Sequence, residues 1–142
     1  MDIQAFNKEV RKYLRKINLK NCQRMNRCIR PFHITPSQMA ILFHLEHHGE
    51  LSISELVKRT EHPKSNVSAI CTRLEENGLI IRRRSETDQR VVYASLTNHA
   101  RTMLEQVKRA VDTEQDRLAE KLDENQREQI LQGLMLLSEM LD

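Results

Sequence analysis

Leu79–Thr97, LIIRRRSETDQRVVYASLT, is the stretch whose reading decides the fold. Ile80-Ile81 and Val91-Val92-Tyr93 are the chain's only concentrated β-branched and aromatic runs, so the segment reads as two short strands. Between them stand Ser85, Glu86, Thr87, Asp88 and Gln89, which are turn formers or polar residues. Arg82, Arg83, Arg84 and Arg90 flank this tip and place positive charge beside it. A hairpin of this kind becomes informative through what precedes it.

Immediately upstream, Leu51-Ser52-Ile53-Ser54-Glu55-Leu56 carries a capping box (Ser52, Glu55) with Leu51 and Leu56 at the staple positions, which predicts a short helix over 53–60. After the turn Thr60-Glu61-His62, Pro63 opens another helix with Val67, Ile70 and Leu74 facing inward, and Asn77-Gly78 caps its end. Two short helices joined by a tight turn form a helix-turn-helix, and a basic hairpin directly after one is a wing.

Further out, Ile3, Phe6, Val10, Tyr13/Leu14 and Ile17 recur at three- and four-residue steps and predict a first helix running to about Arg30, closed by Pro31. Thr35-Pro36-Ser37-Gln38 starts a second helix with Met39, Leu42 and Leu45 inside, and Gly49 ends it. Beyond the hairpin, Thr97 caps a long helix striped by Leu104, Val107, Val111, Leu118 and Leu122. Asp123 and Gln126 form another capping box before a last helix with Ile130, Leu134, Leu137 and Leu141. Gly133 is the one glycine inside a predicted helix, where it marks close packing.

The 142 residues suffice for one domain with its own core. No run reaches the roughly 18 apolar residues that span a bilayer, and the N-terminus lacks a signal peptide's apolar centre, so a cytoplasmic protein without membrane contact is expected. Three cysteines without a CxxC pair make neither a disulfide framework nor a zinc motif. The net charge of +3 is unevenly spread. Residues 1–34 hold nine Lys/Arg against two acidic residues, whereas residues 98–142 hold six basic and ten acidic side chains. The two ends can therefore attract one another, and the basic excess suits an anionic polymer.

In a helix-turn-helix the second helix lies in the major groove with its N-terminal residues on base edges. The exposed residues expected there are Lys64, Ser65, Asn66, Ser68, Ala69, Thr72 and Arg73. Small polar side chains let the backbone approach the duplex, while Lys64 and Arg73 reach phosphates or a guanine edge. The competing role for Ser65 and Asn66 is to satisfy first-turn N–H groups. On the wing, Arg90 is long enough for a narrow minor groove, and Asp88 is placed to orient its guanidinium by a paired hydrogen bond. Arg84, beside the tip, is counted with these DNA-contacting residues.

The motif Asp88-Gln89-Arg90 followed by Leu96-Thr97, with the helix end Arg73-Leu74-Glu75-Glu76-Asn77-Gly78-Leu79-Ile80, resembles the MarR family of winged-helix transcription regulators over nearly the whole chain. The resemblance implies a mainly α (α+β) fold of about six helices and a two-stranded β wing. It implies a DNA-binding lobe over 35–97 and dimerisation helices over 1–34 and 98–142. A homodimer on a pseudo-palindromic operator in double-stranded DNA is expected, a repressor released by a small aromatic or lipophilic effector or by an oxidant. Two departures stand out. Ala69 replaces a frequent arginine, which shifts base reading toward Asn66, Ser68 and Arg73, and Ala100 replaces a common glycine. Independently of family, the first helix and the two C-terminal helices carry more apolar surface than the reading head can cover, which also predicts an interface.

For an effector, the expected pocket lies near Arg30, Phe32 and Phe43, where helix junctions leave concave apolar space. Cys22 and Cys28 are the redox candidates, with Lys20, Arg24 and Arg27 nearby to favour a thiolate, while Cys71 reads as packing. His44 and His48 share a helix face, but sequence fixes no third ligand, so no metal or other cofactor is expected. Without GxSxG, a P-loop or more than three scattered glycines, enzyme activity is not expected. The alternative is a winged-helix adaptor that binds protein, which would replace Arg90 or the polar helix face with apolar anchors.

Overall fold

In a computed structural model describing residues 1–142, the chain folds in the order α1 (Ile3–Ile29), a 3-10 turn (Arg30–Phe32), α2 (Pro36–His48), β1 (Leu51–Ser52), α3 (Ile53–Thr60), α4 (Lys64–Glu76), β2 (Ile80–Arg84), β3 (Val92–Leu96), α5 (Asn98–Ala119) and α6 (Glu124–Leu141). Six helices and a small antiparallel sheet make it the mainly α winged fold expected.

The helix boundaries follow their caps. Thr35 with Gln38, Ser52 with Glu55 and Asp123 with Gln126 each form the full reciprocal capping box. Thr97 Oγ1 accepts from the Ala100 N–H at 3.1 Å and donates to the Gly78 carbonyl at 2.7 Å, so one side chain both starts α5 and ties it to the end of α4. That end is a Schellman motif. The N–H of Gly78 reaches the Glu75 carbonyl at 3.0 Å and that of Leu79 reaches the Leu74 carbonyl at 2.9 Å, with Gly78 at φ 71°. Only glycine takes this backbone conformation without a Cβ penalty.

Three details differ from the sequence reading. α1 stops at Ile29, and Pro31 sits inside the following 3-10 turn, where its missing N–H is harmless. Pro63 is the N-cap of α4 and not its first helical residue. The two-stranded wing forms as expected from β2 and β3, but a third short strand that the sequence did not reveal joins it: the sheet order is β1-β3-β2, with Leu51 opposite Ala94 and Ser52 opposite Tyr93. Two residues are too short to show a period of two, and both already serve as staple and cap for α3, which hid the strand.

The chain forms two compact units, Met1–Val107 and Lys108–Asp142, divided within α5. The core of the first unit lies under the helix-turn-helix. It joins Ile41, Leu42 and Leu45 of α2, Leu56 of α3, Val67, Cys71 and Leu74 of α4, Ile80, Ala94 and Leu96 of the sheet and Ala100, Met103 and Leu104 of α5. Along β2 the pleat sends Ile80 inward and Ile81 out. In α1 only Ile29 is buried, and Ile3, Phe6, Tyr13, Leu14 and Ile17 stay exposed. In the second unit α6 buries no residue, and Ile130, Leu131, Leu134, Met135, Leu136, Met140 and Leu141 are all exposed. A Cβ added at Gly133 meets nothing within 4 Å, so within the chain this glycine makes no close approach. No helix is long and apolar enough to cross a membrane.

Candidate nucleic-acid interface

α4 is held by its buried face, Val67, Cys71 and Leu74, against α2 and α3, which turns Lys64, Ser65, Asn66, Ala69, Thr72 and Arg73 to solvent and leaves Ser68 half-buried. Its N-terminus has no side-chain cap: Pro63 offers a carbonyl to Asn66 and Val67, and the hydroxyl and amide of Ser65 and Asn66 are not used as caps. The local role weighed for these two residues is therefore absent at the N-cap. Thr72 Oγ1 donates back to the Ser68 carbonyl at 3.0 Å, which ties down its hydroxyl hydrogen and leaves its lone pairs outward.

At the wing tip Ser85 is buried, and its hydroxyl accepts from the N–H groups of Thr87 and Asp88 at 3.2 and 3.3 Å. The Val91 N–H returns to the Asp88 carbonyl at 2.9 Å, closing the turn. Asp88 Oδ1 accepts from both the Arg90 backbone N–H at 3.0 Å and Arg90 Nε at 3.3 Å. The expected pair forms, though through one carboxylate oxygen and not as a parallel fork. The Arg90 side chain remains 92% exposed, so its outer guanidinium edge is held in direction and open to a ligand.

The other three wing arginines are tied within the chain, which composition could not reveal. Arg84 Nη1 donates to the Gln89 carbonyl at 2.8 Å and braces the tip, keeping one free guanidinium edge. Arg82 is bound to Glu75 of α4, by Nη2 to Oε1 and by its backbone N–H to Oε2, both at 3.1 Å. Those bonds hold the Glu75 carboxyl below the usual carboxylate value. Arg83 makes a two-pronged pair with Glu50, Nε to Oε2 at 3.0 Å and Nη2 to Oε1, and stacks on Tyr93 at 4.7 Å from the ring centroid. Arg82, Arg83 and Arg84 share an open concavity of about 320 Å³ with Glu75 and Val92. Sequence reasoning missed Glu75 and Glu50: the first lies across the Gly78 turn from its partner and the second 33 positions away, and no periodicity links either pair.

Arg30, Phe32 and Phe43 differ in their burial. Phe32 packs partly buried against the core, Arg30 is exposed, and Phe43 is exposed beside the His47 ring at 4.4 Å. A 220 Å³ concavity between the end of α2 and the start of α5 is lined instead by Leu45, Glu46, Gly49, Leu96, Arg101 and Glu105. Cys22 is exposed, with its thiol 4.0 Å from Asn18 Oδ1, and Cys28 is half-buried. Cys71 is fully buried, and burial pushes its thiol up to about 11, in keeping with a packing role. His44 and His48 stack at 6.2 Å, and Arg59 Nη1 lies 3.2 Å from His48 Nε2. Desolvation and the facing Arg59 charge lower the His48 pKa, and no group of three or more His, Cys, Asp or Glu side chains converges on one point.

A helix-turn-helix with an arginine-tipped wing matches known proteins over its defining segment. The profile of the MarR family matches residues 34–91. The chain is 38% identical over 74 residues to the HTH-type transcriptional repressor MdtR of Bacillus subtilis (strain 168), covering 52% of this chain and 48% of MdtR, so it spans about half the length of that relative. To the HTH-type transcriptional regulator FarR of Neisseria gonorrhoeae it is 33% identical over 107 residues, 75% of this chain and 71% of FarR. Its fold is that of a mutant MepR of S. aureus solved bound to an oligodeoxyribonucleotide, with a TM-score of 0.73 at 23% identity over 94% of this chain and 98% of that one. The chain belongs to the MarR family of winged helix-turn-helix proteins.

Proposed function

We propose that the chain is a sequence-specific DNA-binding transcription regulator, a homodimer that represses from a pseudo-palindromic operator and is released by a small aromatic or lipophilic effector or by oxidation. The observation that carries this reading is Arg90, 92% exposed yet aimed by Asp88, on the wing that follows a helix whose polar face is open to solvent. Lys64, Ser65, Asn66, Ser68, Thr72 and Arg73 read or position the major groove, Arg90 enters the minor groove, and the free edge of Arg84 meets phosphate. The names of MdtR, a repressor, and FarR, a regulator, support the same class, as does the oligonucleotide bound by MepR.

The exposed stripes on α1 and α6 support the dimer, because apolar surface of that extent on helices normally marks an interface. Residues 1–34 and 98–142 are its dimerisation segments, and 35–97 is the reading lobe. An effector pocket built on Arg30, Phe32 and Phe43 would be closed by the second copy. Oxidation would act at the accessible Cys22 or at Cys28.

Selection from random duplexes tests the reading. The expected product is an inverted repeat whose half-sites are centred about one helical turn, ~34 Å, apart, because a two-fold dimer sets that spacing. Recovery of no common sequence would overturn it.

A further inference from the structure

The sheet order makes β2 an edge strand, paired only with β3 and otherwise free along its outer side. A hairpin whose edge strand is held only by its one neighbour can tilt as a unit against the helices, and a tilting hairpin cannot hold an arginine in a groove. Two carboxylates grip β2 at consecutive residues. Glu75 takes both the outward N–H and the guanidinium of Arg82, so it closes one of the unpaired edge positions and links the strand to α4. Glu50, from the turn before β1, holds Arg83 two-pronged, with Tyr93 of β3 stacked beside it. Because consecutive strand residues point to opposite faces, the two grips act from opposite sides of the hairpin. Both are partly exposed, so their worth to stability is small, whereas two-pronged pairs fix direction.

We propose that Glu75 and Glu50 are positioning residues that set the angle of the wing to the recognition helix and thereby deliver Arg90 to the DNA. The proposal rests on the DNA-binding reading above. It makes a prediction opposite in sign to simple electrostatics: removing a carboxylate beside a polyanion should strengthen binding, but here it weakens specific binding because the wing loses its register.

The test is a mutant cycle with the full-length protein on its selected duplex, using Glu75→Ala, Glu75→Gln, Glu50→Ala and Arg90→Ala. Arg90→Ala is expected to weaken specific binding at least about thirtyfold in the wild-type background and less than about threefold on Glu75→Ala or Glu50→Ala, since coupled sites are not additive. Glu75→Gln keeps an oxygen for the Arg82 N–H and should recover part of the coupling. Hydroxyl-radical footprints of Glu75→Ala should lose minor-groove protection while the major-groove contacts persist, a split that a general loss of folded protein does not produce. Full additivity with Arg90→Ala, or tighter specific binding by Glu75→Ala, would overturn the proposal while the DNA-binding reading stands. A wild-type protein that prefers no duplex would overturn that reading, and the positioning role falls with it.

Discussion

Charge reversal at the wing, Arg90→Glu, is expected to abolish specific DNA binding while leaving the proposed dimer and its melting temperature unchanged. The side chain is 92% exposed and its one partner is Asp88, a surface contact of the kind worth about 0–1 kcal/mol, so folding does not depend on it. Removing an arginine that reads the duplex costs about 1–3 kcal/mol. A dimer presents two wings, so the loss is about 2–6 kcal/mol, at least roughly thirtyfold, before the repulsion between glutamate and phosphate is added. Electrophoretic mobility shift alongside analytical ultracentrifugation measures both halves of the claim. Unchanged binding would favour a protein-binding adaptor, and a dissociated or unfolded variant would show that Arg90 is structural.

The second large effect lies in the core. Leu74 is 0% exposed, it is the α4 residue whose carbonyl receives the Leu79 N–H, and it packs in the same cluster as Leu56, Cys71 and Ile80. Leu74→Ala is expected to cost about 2–5 kcal/mol, because the lost transfer energy is joined by a cavity that a helix fixed at its end cannot easily close. Against a total stability of about 5–15 kcal/mol this is a large fraction. Urea unfolding at one fixed protomer concentration measures it, since dissociation of the proposed dimer would contribute to the midpoint. A change below about 1 kcal/mol would contradict the packing described for α4.

What was legible in the sequence was local. The three capping boxes, Thr97 at the start of α5 and the Asn77-Gly78 stop could be read because each is decided by residues three or four positions apart. The Asp88–Arg90 contact was legible for the same reason, being two residues long. β1 was not, because its pairing partners Tyr93 and Ala94 lie some forty positions away and its two residues already had helix-starting roles. The wing's four arginines were legible as positive charge beside the tip, but not their partners: Arg82 and Arg83 are bound by Glu75 and Glu50, and Arg84 donates to the Gln89 carbonyl. Their binding moves the interpretation from the amount of charge to its placement, with Arg90 as the side chain left outward. The stripes of α1 and α6 were legible as apolar faces, but within one chain nothing buries them, and the partner that does belongs to the proposed dimer.

Titration of the wild-type protein against a labelled duplex carrying the selected inverted repeat, and against a scrambled duplex of equal length, over a series of salt concentrations, tests the central claim most directly. The account predicts that the selected duplex binds at least about 1,000-fold more tightly at physiological salt, and that log affinity falls steeply and linearly with log salt as counterions are released. Equal affinity for the two duplexes at physiological salt would contradict it.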